Sequence, residues 1–171
     1  MRRLSIVLCV SLSAAVLLSV GATAEAQTLD TRFACSAVGD DGGDKVTYAD
    51  SGEIHLDGDK VNNFRWESAL FRSTHGFDCD IGDEDGLLAH AAGDTKKSTW
   101  KITLADGRGA RDKRGYNFDR GVNCAIELVR VGDTVSVLPN CPAMCGSRLN
   151  FSTIAIDLKT GQCHYQHTAK N

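Results

Sequence analysis

The C-terminal third of the chain holds the residues best placed to do chemistry. Cys141 and Cys145 stand on either side of Pro142-Ala143-Met144, and Cys163-His164 is followed by His167. Thiolate sulfur and imidazole nitrogen at such spacings can hold zinc in a tetrahedron. The same thiols can instead pair as disulfides, and the compartment decides between the two. A redox-active pair is not expected. The Cys141–Cys145 spacing is wider than the thioredoxin-type motif, and no βαβ pattern surrounds it.

Two charged runs are the next candidates. Asp78-Cys79-Asp80-Ile81-Gly82-Asp83-Glu84-Asp85-Gly86 clusters carboxylates, the ligands that calcium prefers. Its spacing is not that of an EF-hand loop: Gly82 stands at a ligand position, and Ala89 stands where a bidentate Glu belongs. A solvated acidic loop is therefore expected. Between Arg108 and Arg120, the cations Arg108, Arg111, Lys113 and Arg114 lie near Tyr116 and Phe118. Guanidinium groups beside aromatic rings bind anions or stack. These residues, with Tyr116, are the binding candidates, on a basic surface loop.

No catalytic site is expected from the motifs. The five histidines are His55, His75, His90, His164 and His167. None lies in a His-Glu-x-x-His helix, and no nucleophile elbow or phosphate loop is present. No metal or cofactor is expected on the same grounds. His55 falls in strand register with Glu53 and reads as an exposed or hydrogen-bonded histidine.

The N-terminus sets the compartment. Arg2 and Arg3 precede an apolar stretch, Leu4 to Val20, and Ala24-Glu25-Ala26 supplies the small residues that signal peptidase requires. Residues 1–26 are expected to be a signal peptide, cleaved after Ala26, and residues 27–171 one secreted β-domain. The apolar stretch is shorter than the ~20 residues of a membrane span and is interrupted by serines. No transmembrane segment is expected after cleavage, and the destination is the periplasm or the exterior. There are seven cysteines. Cys9 leaves with the leader, so Cys35, Cys79, Cys124, Cys141, Cys145 and Cys163 remain. An even number in an oxidising compartment reads as disulfides. The expected set is Cys35–Cys163, Cys79–Cys124 and Cys141–Cys145, although spacing alone does not choose it.

The elements that must carry these residues read as strands. Glycine punctuates short runs, and no amphipathic helix stands out. Thr31 to Val38, Lys45 to Ala49, Glu53 to Leu56 and Lys60 to Trp66 are expected strands, with a hairpin turn at Asp57-Gly58. Glu67 to Ile81 is less regular, with a strand ending at Cys79. Leu87 to Ala92 is a buried strand or a helical turn, since so short a run lacks a decisive period. Trp100, Ile102 and Leu104 share one strand face. Cys124, Ile126 and Leu128 share another, and Gly132-Asp133 suits a type II′ hairpin that returns through Val135 and Val137. Leu149 and Phe151 continue the inward face, and a bulge near Ser152-Thr153 would bring Ile154, Ile156 and Leu158 into it. The expected fold is all-β: a single antiparallel barrel or sandwich built from hairpins and stabilised by disulfides.

The layout resembles the bacterial periplasmic inhibitors of C-type lysozyme, which are small secreted β-barrels. Phe33-Ala34-Cys35 opens the domain with an aromatic-x-Cys strand, Ser51-Gly52 lies in an early hairpin region, and Gly161-Gln162-Cys163 closes the chain. The resemblance implies a bridge between the first and last strands. Glu53-Ile54-His55 follows Ser51-Gly52 without the family's tyrosine, so no inhibitory residue is carried over.

The function expected is that of a secreted or periplasmic, disulfide-stabilised binding protein of the bacterial envelope, with lysozyme inhibition as its specific version. The alternatives are an envelope hydrolase with an unrecognised site, or a structural or antigenic surface protein. The formal net charge is −3. A mildly acidic chain argues against nucleic acid and for a protein partner, a basic lysozyme among them.

Overall fold

The computed structural model describes residues 27–41, 43–94, 96–113, 123–140 and 152–166. Strands β1 (Thr28–Asp41), β2 (Asp44–Asp57), β3 (Lys60–Phe71) and β4 (Gly76–Gly82) form an antiparallel sheet in that order. A short 3-10 turn, Asp83–Asp85, follows. The second sheet contains β5 (Leu87–Gly93), β6 (Lys97–Leu104), β7 (Ala125–Val131), β8 (Thr134–Pro139), β9 (Ile154–Asp157) and β10 (Cys163–Tyr165). Each of its strands pairs antiparallel with its neighbour in sequence. Helix α1 (Gly107–Lys113) lies between β6 and β7.

Alternation drives the packing. In β1, Leu29, Thr31, Phe33 and Cys35 are buried while Asp30, Arg32, Ala34 and Ser36 face solvent. A strand with this period buries one face only, so two such sheets close on each other. Phe64 and Trp66 of β3 join Trp100, Ile102, Ile126, Leu128, Val135, Val137, Ile154 and Ile156 in one core cluster. Each large side chain withdrawn from water contributes about 1.5–3 kcal/mol.

One seam between the sheets is closed. Ala34 and Gln162 form a parallel bridge, and Cys35 and Cys163 are joined by a disulfide with Cα atoms 5.3 Å apart. The first and last strands are therefore covalently tied, as expected. Cys79 and Cys124 are buried and disulfide-bonded too. Cys141 and Cys145 lie outside the described residues, as do Leu149, Phe151 and His167.

Several local expectations are corrected. Lys45 to Ala49 and Glu53 to Leu56 are parts of one continuous strand, β2. The turn after it is centred on Gly58 and Asp59, because Asp57 already pairs with Lys60. Gly58 takes φ +55°, which a Cβ would oppose. The acidic stretch is not a loop. Its first part is β4, in which Cys79 and Ile81 point inward. The next carboxylates bind backbone: Asp83 accepts from Phe64 N–H and Asp85 from Gly82 N–H, at 2.8 and 2.9 Å. The basic stretch begins as helix α1 rather than as a loop. The run at Leu87 is a strand but not a buried one: its positions alternate between half-buried and exposed, and Leu88 is 56% exposed.

Gly52 is a packing requirement. A Cβ there would come within 2.5 Å of the Arg65 carbonyl oxygen and 2.6 Å of the Phe33 ring. Phe33 in turn meets Trp66 edge-on, with centroids 6.5 Å apart. Gly52→Ala is expected to destabilise the fold by about 1–3 kcal/mol, the usual cost of overpacking. Urea denaturation of the variant beside the parent checks this, and an unchanged midpoint would refute the packing account.

Candidate functional site

Strand β2 presents chemistry on both of its faces. On the solvent face, Glu53 and His55 are two residues apart and so point the same way. The β1–β2 register places Arg32 opposite Glu53 and Asp30 opposite His55. The result is a chain of contacts. Arg32 donates to Glu53 Oε1 at 2.7 Å. His55 Nε2 lies 2.7 Å from the same oxygen, and Nδ1 lies 3.0 Å from Asp30 Oδ1.

This cluster orders charge on a surface; it does not activate a nucleophile. Ser51 shares the solvent face, but it stands four positions from His55, about 13 Å at the strand repeat. Both ring nitrogens already face carboxylates, so neither is left to take a proton from a hydroxyl.

The Glu53 carboxyl is held below the ordinary glutamate range, first by the hydrogen bond with His55 and next by that from Arg32. A depressed carboxyl contributes stability above its unfolded value and loses it as pH falls through the folded one. Exposure leaves that contribution small. In an NMR titration Glu53 is expected to protonate below the other exposed glutamates. His55→Asn should move it up more than Arg32→Ala. The reverse order would contradict the assignment of His55 as the larger influence.

On the inner face of β2 lies Asp50, only 3% exposed. Trp66 Nε1–H donates to its Oδ1 at 2.8 Å, and Tyr165 O–H donates to its Oδ2 at 2.6 Å. Ser68, opposite Asp50 in β3, bonds to the same carboxylate. Burial pushes the Asp50 carboxyl above the ordinary range, against the pull of these donors. Burial, followed by the bond to Asp50, pushes the Tyr165 hydroxyl up as well. The network joins β2 and β3 of one sheet to β10 of the other. Tyr165 lies two residues past Cys163, so covalent and polar ties meet at the same seam.

The residues singled out in the sequence scatter. Arg108 is exposed on α1. Arg111 and Lys113 lie on the same helix, with side chains outside the described residues, and Arg114 and Tyr116 lie outside them altogether. Cys163 is in a disulfide and is therefore not a zinc ligand. Among the described residues no cluster of His, Cys, Asp and Glu has the makings of a metal site. Among them, too, no helix is long and apolar enough to cross a membrane. His90 lies 3.7 Å from Asp59, whose carboxylate also accepts from Ala91 N–H and pins the β2–β3 turn against β5.

Sequence reading missed Asp50. The only available signal was an acidic residue at a position where the β2 alternation demands an inward side chain. Comparison with protein-family models, with curated proteins and with solved structures finds no match for this chain.

Proposed function

We propose that the chain is exported, processed after Ala26, and acts as a disulfide-locked binding protein of the bacterial envelope, with inhibition of a C-type lysozyme as its specific form. The observation that carries this reading is the Cys35–Cys163 bond across the β1–β10 seam. It ties the two ends of the meander and suits a rigid scaffold that works in an oxidising compartment. The disposition of charge agrees with it. The buried Asp50 and the half-buried Tyr165 are engaged with each other, whereas the ordered charges on β1 and β2 face solvent.

Steady-state lysis of a peptidoglycan suspension by lysozyme, with and without an excess of oxidised mature protein, tests the specific form. Loss of lysis supports inhibition; undiminished lysis removes it.

A further inference from the structure

We propose that the outer face of β1–β4 is the docking surface, and that its occupant is a protein carrying lysines or arginines around an apolar centre. The inference rests on the binding reading above and names the face and the partner chemistry.

The strand register sorts this face into rows that run across the sheet. At one end stand the charged pairs already described, Asp30 opposite His55, and Arg32 opposite Glu53, which in turn faces Arg65. The next row runs Ala34, Ser51, Glu67 and Asp80. After it comes a row of short side chains, Ser36, Ala49 and Ala69, ending in Asp78. The next row runs Val38, Thr47 and Phe71, with Gly76 beyond, and Asp40 opposite Lys45 follows it. Val38 is 71% exposed and Phe71 49% exposed.

Charge is concentrated on this face. Asp30, Asp40, Glu53, Glu67, Asp78 and Asp80 stand against Arg32, Lys45 and Arg65, an excess of three carboxylates in these rows. The solvent face of the second sheet is balanced, with Lys97 and Lys101 set against Glu127 and Asp157. Glu67 and Asp80 lie directly across from each other. Glu67 also lies 3.6 Å from Arg65, so this part of the face holds charges of both signs with carboxylates in excess, a field that favours an approaching cation. Ala49 is half-buried and Ala69 buried, so this row lies low between its larger neighbours beside the Phe71 and Val38 row. The face thus offers an apolar anchor beside an acidic field, the usual anatomy of a recognition surface.

The test uses oxidised full-length mature protein and a C-type lysozyme as the basic probe, with binding measured by calorimetry at low and physiological salt. Glu67→Lys with Asp78→Lys is expected to weaken binding by on the order of tenfold or more, and to flatten its salt dependence. Phe71→Ser should weaken it at both salt concentrations. Glu127→Lys, on the other sheet, should leave it within about twofold. Lysozyme with acetylated lysines should bind poorly. Thermal midpoints confirm that each variant is folded. If the lysines fail that check, Asp78→Asn and Phe71→Ser carry the test. Wild-type binding that these changes leave intact would overturn the assigned face while sparing the binding reading. Equal binding of acetylated lysozyme would overturn the partner chemistry. No binding by the wild type would overturn the reading on which the inference rests.

Discussion

Asp50→Ala is expected to remove about 3 kcal/mol or more of stability, while Asp50→Asn removes less than about 1. Alanine deletes the acceptor used by Trp66, Tyr165 and Ser68 inside the core. The indole N–H cannot reach water from a residue that is 0% exposed, so it bears the cost of an orphaned donor. Asparagine keeps the volume and one acceptor oxygen, and its amide can donate to a hydroxyl that rotates to receive it. It also removes the cost of burying a charge.

The pH dependence separates these contributions. The Asp50 carboxyl is raised in the folded state, chiefly by burial. Between the ordinary aspartate range and that raised value, the native state binds more protons than the unfolded state. Stability from this group is therefore full below the ordinary range and is lost as pH rises through the folded value. The Asn variant should lack that part of the slope. Urea midpoints from mildly acid to neutral pH check both statements. If Asp50→Asn were as damaging as Asp50→Ala, or kept the wild-type slope, the Asp50 network would not be what staples the two sheets.

The fold was legible where alternation and turn chemistry agreed. Trp100 and Ile102 in β6, and Ile126 and Leu128 in β7, point inward as their spacing predicts. Gly132 takes φ +60°, in keeping with the expected turn. In Asp78-Cys79-Asp80-Ile81 the density of acids concealed a clear period of two, because a half-solvated strand displays its charges on alternate positions. Half of the solvent-face cluster could be read from Glu53 and His55. Asp30 and Arg32 join it only through a β1–β2 register fixed at the Asp41–Asp44 end, where Asp40 accepts from Gly43 N–H. The Asp50–Tyr165 bond spans 115 positions of sequence, and no local pattern announces a contact at that distance.

Cys35→Ser with Cys163→Ser is expected to lower stability by about 3–4 kcal/mol. The bond closes a loop across a sequence separation of 128. On the chain-entropy account a lone crosslink of that span would contribute nearer to ~5 kcal/mol. Cys79 and Cys124 are bonded as well, so the unfolded chain is already looped and has less freedom for this bridge to remove. The effect should not stop at the covalent tie. β10 spans only Cys163–Tyr165, and its pairing with β9 runs from Cys163 to Tyr165. Without the bridge, the short pairing with β9, the ring contact with Tyr48 and the hydroxyl bond to Asp50 are left to hold β10 at the seam, and they fray together. Tyr165→Phe should therefore cost less in the Ser/Ser background than in the parent, because part of the seam has already opened. A double-mutant cycle in urea measures this coupling, which is expected at about 0.5–1.5 kcal/mol. Strict additivity would show that the disulfide and the Asp50 network hold the seam independently. A Ser/Ser loss below about 1 kcal/mol would show that the core already fixes the two ends of the meander without the bond.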